Sequence, residues 1–503
     1  MTVVRLRVSE GTAASGGFLR SSLALLVGAL ACATAVLLAA TAAAAKTSTH
    51  VIATRATAPL RTALFDPVFA GPQGASAFAM TRSAGASYVI LTVTWRAIAP
   101  ATPPAGFVPT DPTSAGYSWR GLDAEVAAAD SAGLTPILEI DTTPSWAYAT
   151  PPSDGNAGTP NVADLAEFAT ALATHYDGLS PGVPAEHVFQ VSNEPNVSLY
   201  LNPVKASVYR AMVNAVAAAV HAVDLSNLVV AGGLDPFGHP KSKKQTWYSV
   251  APLAFMRSLL CLSKGSHPHA TCHDPVHFDV WAHHPYTFGG PFGHAKHDNV
   301  ELGDLPKMRA LLRAGVRLHQ VVSTNPVQFW VTEFGWDTNP PRPHAASLGL
   351  AARWTAESLH QMWLSGVSLV TWFLIVDYPS PSPYQSGLYF RADSLAAARP
   401  KPGLTAFRFP FVAYLNKKRT VSVWGRDATS DTQLVTIQRR HGGSGGWSSV
   451  AQIRSNAYGI FLATLRLKAT KKDWLRAVVP GSDTSLAFSL TRPKDPRIGP
   501  WGN

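Results

Sequence analysis

Eight short runs of apolar and β-branched residues recur through the first three quarters of the chain, at 62–65, 88–94, 135–140, 187–191, 228–233, 278–282, 327–331 and 368–374. The second, Tyr-Val-Ile-Leu-Thr-Val-Thr, is apolar almost without a break, as expected of a parallel strand covered on both faces. Between the runs, apolar residues fall at helical spacing over 78–84, 120–132, 162–175, 206–223, 252–262, 305–320 and 345–364. Asn161 or Asp164 stands where one of these helices needs a cap, and Gly133 and Gly366 stand where two need a stop. Strand and helix alternating at this spacing predict a closed parallel (β/α)8 TIM barrel over 61–398.

In such a barrel the side chains at the C-terminal ends of the strands form the mouth, where chemistry is done. Two runs end in a glutamate there. One leads into Val191-Ser192-Asn193-Glu194-Pro195-Asn196, the other into Trp330-Val331-Thr332-Glu333-Phe334-Gly335-Trp336. A lone Asn-Glu-Pro says little, because Asn and Pro mark any strand exit and Glu is usually a solvated surface residue. The pair says more. The glutamates lie 139 residues apart, about three units at about 45 residues each, which assigns them to strands 4 and 7. Two carboxylates facing each other across a mouth suit glycosidic cleavage, one protonating the leaving oxygen while the other attacks or activates water.

Asn193-Glu194-Pro195, followed by Glu333-Phe334-Gly335-Trp336, resembles the retaining glycoside hydrolases of clan A. The resemblance implies that Glu194 is the acid/base, that Glu333 is the nucleophile, and that Asn193 bonds the 2-hydroxyl of the bound sugar. His283-His284-Pro285-Tyr286 is similar to the clan's His-x-Tyr, mapping onto His284 beside the acid/base and Tyr286 beside the nucleophile. Trp372 matches the tryptophan that floors many clan A sugar sites, its alternative being a core side chain. Thr143-Pro144-Ser145-Trp146-Ala147 and Val93-Thr94-Trp95 look more like family 39 than family 5. Trp146 is then a stacking platform for a pyranose face, Trp95 either lines the sugar site or caps the barrel, and Trp336 is a further candidate contact. No metal or organic cofactor is implied. The chain departs from the pattern at Ile90, where many clan A enzymes carry an arginine that keeps the nucleophile ionised; Arg96 is a candidate substitute.

From about residue 401 the helical period disappears. Short runs at 421–424, 433–438, 460–467, 475–479 and 485–490, separated by Gly, Ser, Asp and Lys, predict a small antiparallel β-sandwich over 399–491, with a tail over 492–503. The net charge of +11 belongs here: residues 401–503 hold 17 Lys and Arg against 5 Asp and Glu. This basic surface either holds an acidic wall or matrix polymer or is a solvated face. The sequence shows no basic motif interleaved with aromatics, so no nucleic-acid partner is expected.

At the other end, Arg5, Arg7 and Arg20 precede an apolar run over 23–45 that ends in alanines, the form of a cleaved signal peptide, or of an anchor if retained. Residues 46–60 read as a linker, and the mature chain is expected to be secreted, touching a membrane only through a retained anchor. Cys261 and Cys272 are the cysteines beyond the leader, which contains Cys32, and a disulfide between them is expected in an oxidising compartment. His267, His269, His273 and His277 crowd the same loop, but their spacing fits no common zinc pattern. The expected partner is an oligo- or polysaccharide. The rival readings are a non-catalytic glycan-binding surface protein on a barrel scaffold, against which the presence of both glutamates with the His-x-Tyr counts, and a transglycosylase, which shares the glycosyl-enzyme and differs in the shape of its acceptor site.

Overall fold

The computed structural model describes residues 51–500 except 244, 418–419, 430 and 443–444. The leader at 1–45 and the last three residues lie outside the described residues. Eight parallel strands, β1 (Arg61–Phe65), β2 (Tyr88–Thr94), β3 (Thr135–Asp141), β4 (Val188–Val191), β5 (Leu228–Leu234), β6 (Val280–His283), β7 (Gln328–Val331) and β8 (Leu369–Phe373), close into a barrel in sequence order. β8 pairs with β1, Trp372 opposite Leu64, and β5 pairs with β6 to complete the circle. The longer helices are α1 (Gly74–Ser83), α2 (Arg120–Ser131), α3 (Val162–His175), α4 (Ala206–Val223), α5 (Pro252–Leu259), α6 (Leu305–Arg317), α7 (Leu348–Leu364) and α8 (Pro402–Arg408).

The period-2 pleat decides what each strand residue does. Ala63, Ile90, Ile137, Val188, Val230, Val280, Ala282, Trp330 and Leu369 turn inward and fill the barrel. Their neighbours Leu64, Val89, Leu91 and Val331 turn outward against the helices. The lumen is thus solid, and a ligand has access only at its mouth. Trp330 is 1% exposed, and its truncation to alanine would cost about 3–5 kcal/mol.

Local sequence accounts for the helix ends. The Asn161 side chain accepts from the Ala163 and Asp164 amides and caps α3, whose Leu165, Phe168 and Leu172 are buried. Ser347 caps α7, and Gly366, at φ 83°, turns the chain back after it. α4, like the leader, is apolar and long enough to cross a membrane by length and composition. In the fold its Tyr209, Val213, Val216 and Val220 are buried in the core.

Beyond the barrel, β9 (Phe411–Leu415), β10 (Val421–Arg426), β11 (Leu434–His441), β12 (Ser448–Arg454), β13 (Ile460–Leu465) and β14 (Asp473–Val479) make two sheets, in keeping with the expected sandwich. β9, β10 and β13 form a three-stranded antiparallel sheet; β11, β12 and β14 belong to a six-stranded one. β9 and β12 were not anticipated, and the run expected over 485–490 reduces to Phe488–Ser489. Within 46–60, the expected linker, Val51–Ala53 pairs in parallel with β12 and so belongs to the sandwich. The expected tail returns to the barrel: Asp495 accepts from the Trp354 indole at 2.9 Å and Pro500 from the Asp337 amide. Cys261 and Cys272 are joined as a disulfide after α5.

Candidate active site

The exits of β4, β6 and β7 converge on one pocket of about 280 Å³, lined among others by Asn193, His284, Thr332 and Glu333. The backbone at the β4 exit is strained: Ser192 has φ 64° and Glu194 φ 38°, left-handed conformations that cost on the order of 1–3 kcal/mol each and cluster at functional sites. Neighbouring elements hold this turn. The Glu194 amide donates to the Gly233 carbonyl at 3.2 Å. Gly233 is itself at φ 60°, a conformation that favours glycine. Asn196, fully buried, donates to the Asp235 and Val250 carbonyls and accepts from the Asp235 amide, each at 3.0 Å, pinning the β4 loop to the β5 loop.

One nitrogen, His284 Nδ1, lies 2.9 Å from Glu194 Oε1 and 4.0 Å from Glu333 Oε2. Those two oxygens are therefore less than about 7 Å apart, closer than most of the range of about 6.5 to 9.5 Å found in inverting glycosidases. His284 Nε2 contacts Thr332 Oγ1 at 3.1 Å, and the Tyr286 hydroxyl donates to Glu333 Oε1 at 2.7 Å. The residues the sequence singled out at the ends of strands 4, 6 and 7 are thus brought together.

Burial governs the electrostatics. It pushes the Glu194 carboxyl up to about 8. Glu333 is pushed up to about 7, where burial and the Glu194 charge are opposed by His284 and by the Tyr286 hydrogen bond. Burial lowers His284, against the pull of Glu333, and so favours its neutral form. Burial and then Glu333 hold Tyr286 well above its usual range, so it remains a donor.

The four tryptophans do not share that destination. Trp372, expected under the sugar, is 2% exposed and faces away from the lumen, packed on Phe334 and Phe407, because the pleat of β8 turns Phe373 inward instead. Trp336 is buried against Phe334 and Trp354 with its indole donating to Ser358, so it too is core. Trp95 is 1% exposed and stacked on Phe168, yet it borders a neighbouring cleft of about 230 Å³ that shares Asp141 and Tyr200 with the pocket. Trp146 is half-buried edge-on to Trp95 and Phe107, its indole donating to Pro100. Ile90 lies at the pocket floor, and Arg96 sits beside Asp141, whose charge it favours, in the neighbouring cleft.

Several site residues were not anticipated. Glu139 and Gln190 line the floor, the Gln190 amide donating to Glu139 at 3.1 Å. Burial, then the charges of Asp141, Glu333 and Glu194, hold Glu139 well above the carboxylate range. Asp235 is likewise held up by burial and by Glu194. The aromatic wall comes from Phe65, Tyr200, Phe373, Tyr378 and Tyr384. Tyr378 and Tyr384 ride on a loop clamped by buried Lys401, whose Nζ reaches Asp377 at 2.5 Å, Thr338 at 2.8 Å and the Gln385 carbonyl at 3.0 Å. A sequence signal existed only for Glu139, a charge at an inward position of an otherwise apolar run.

No family model and no curated protein matches the chain. Solved structures that overlap it include the GH39 enzyme from Xanthomonas axonopodis pv. citri, at 15% identity over 86% of this chain and 98% of that one, TM-score 0.49. A family 39 glycoside hydrolase from Bacteroides cellulosilyticus overlaps at 14% identity over 84% and 81%, TM-score 0.49. A monomeric beta-xylosidase from Caulobacter crescentus overlaps at 14% identity over 84% and 98%, TM-score 0.47. The chain is similar to these glycoside hydrolases in fold, at an overlap too loose to carry an argument about its reaction.

Proposed function

We propose that this protein is an exported retaining β-glycosidase or glycanase that hydrolyses O-glycosidic bonds, with Glu194 as acid/base and Glu333 as nucleophile. The observation that carries the reading is the pair of carboxyls flanking His284 Nδ1 at 2.9 and 4.0 Å. An oxygen separation below about 7 Å excludes most of the inverting range and is compatible with the separation of about 5 Å found in retaining enzymes.

The two carboxyls are made unequal by their neighbours, which supports the division of roles. Glu333 has His284 and the Tyr286 hydroxyl favouring its charge against burial; on Glu194 burial acts toward the protonated form. In this reading the neutral His284 ring carries its hydrogen on Nδ1, donated to Glu194 Oε1, and Nε2 accepts from the Thr332 hydroxyl, across contacts of 2.9 and 3.1 Å. The acid proton of Glu194 is then left on its other oxygen. That proton goes to the departing glycosidic oxygen while Glu333 attacks the anomeric carbon; Glu194 then takes a proton from the water that releases the sugar. Asn193, which lines the pocket, is the proposed partner of the sugar's 2-hydroxyl.

An aryl β-glycoside tests this directly. Glu333→Gln should lower release of the aryl group by at least about 10³-fold, and the wild-type product should keep the β configuration in a time-resolved NMR spectrum. An unchanged rate in the variant would return the protein to the non-catalytic glycan-binding reading, and first-formed α product would make it inverting.

A further inference from the structure

The sandwich carries a surface whose construction neither the pocket nor the core explains. β11 and β14 pair so that Arg440 lies opposite Trp474 and Gln438 opposite Arg476. Along β14, buried Asp473, Leu475 and Ala477 alternate with half-buried Trp474 and Arg476, so the latter two face outward. Trp447, just before β12, completes the cluster. The Arg476 guanidinium lies 4.3 Å and that of Arg440 4.7 Å from the centre of the Trp447 ring, and Arg440 is also 5.9 Å from Trp474.

The charges on this face are uncompensated. Arg439, next in sequence, reaches Asp473 at 2.9 Å together with His441 at 2.8 Å. Among the described residues neither Arg440 nor Arg476 has such a carboxylate. Arg476 spends one N–H on Gln438 Oε1 at 2.8 Å, which fixes its plane. Stacking on indole holds a guanidinium flat while leaving its N–H edge free, and that edge matches a carboxylate in two parallel hydrogen bonds. Two such forks backed by one indole, on a segment with 17 basic against 5 acidic residues, are built to grip neighbouring carboxylates on one polymer.

We propose that this outer face of the sandwich is a binding site for a carboxylate-bearing polysaccharide, separate from the barrel mouth, which tethers the enzyme to an acidic matrix. Binding is read without turnover, so the result stands whether or not the pocket hydrolyses glycosides.

The test is affinity electrophoresis of the full protein through gels containing polygalacturonate or neutral xylan, with a single-stranded oligonucleotide as competitor. Wild type should be retarded by polygalacturonate alone. R440A/R476A should weaken that retardation at least tenfold, with an unchanged melting temperature as the check on folding. R440K/R476K, which keeps the charge and loses the fork, should weaken it severalfold, and this pair decides the matter if the alanine pair does not fold. Absence of retardation, equal retardation of wild type and both variants, or release by the oligonucleotide at lower concentration than by free polygalacturonate would overturn the proposal.

Discussion

Tyr286 donates its hydroxyl to Glu333 Oε1 at 2.7 Å, a hydrogen bond that favours a charged Glu333. At Ile90, where the resemblance expects an arginine, the floor is apolar. A hydrogen bond to a charged group contributes about 1.5–3 kcal/mol, or one to two pKa units at 1.36 kcal/mol each. Tyr286→Phe should therefore raise the Glu333 pKa from about 7 toward or past that of Glu194, about 8. The form with Glu333 ionised and Glu194 protonated then becomes the minor one. The acid limb of the kcat/KM profile should move up by at least about one unit and its maximum fall about 10- to 100-fold; an acid limb left in place would show that Tyr286 does not hold the nucleophile ionised.

The same two groups set the wild-type pH profile. Activity requires the Glu333 carboxylate, lost as pH falls through about 7, and the Glu194 acid, lost as pH rises through about 8. The expected kcat/KM curve is a narrow bell centred between those values, whose limbs belong to the coupled pair and not to either residue alone. A broad acidic optimum near pH 5 would mean that water or substrate lifts the burial acting on Glu333.

How much of this was legible beforehand follows from what a side chain's direction depends on. Glu194, His284, Tyr286 and Glu333 could be read from the chain because each stands at the exit of an apolar run, and strand exits of a parallel barrel share one mouth. Trp372 could not be read so simply. A slip of one residue in the pleat exchanges the lumen face for the helix face, and it is Phe373 that lines the pocket. Tyr378 and Tyr384 reach the pocket from an irregular loop whose course is set by Asp377, Gln385 and Lys401, partners brought together only by the fold. Val51–Ala53 became a strand because β12, about 400 residues later in the chain, offers its edge. Periodicity within a segment carries no trace of either.

Charge at the pocket limits which sugar can enter. Glu139, Asp141 and Glu333 line it, and no lysine or arginine is among the lining residues. Like-charge contact costs several kcal/mol, so a uronic acid in the catalytic position is disfavoured while a neutral pyranose is accepted. An aryl β-glucuronide should be hydrolysed at least about 100-fold more slowly, in kcat/KM, than the matching neutral glycoside. Comparable rates would require a cation to reach the pocket from outside it.

Keeping Glu333 where it can react also bears on stability. Burial raises its folded pKa to about 7, above the usual carboxylate value of 4.5. Below pH 4.5 both folded and unfolded chains carry the proton, and the group is neutral in its effect on folding. Between 4.5 and about 7 the unfolded chain has released that proton and the folded chain retains it, so stability declines as pH rises. Above about 7 the full cost of a buried, like-charged carboxylate is present. Glu333→Gln removes the ionisation and keeps the shape, so the inactive variant should melt above wild type at pH 8, by on the order of 2 °C or more. The gap should close as pH is lowered toward 4. A melting temperature below wild type at pH 8 would mean that the Glu333 carboxylate holds the β7 exit in place, its bonds to Tyr286 and His284 outweighing the cost of its burial.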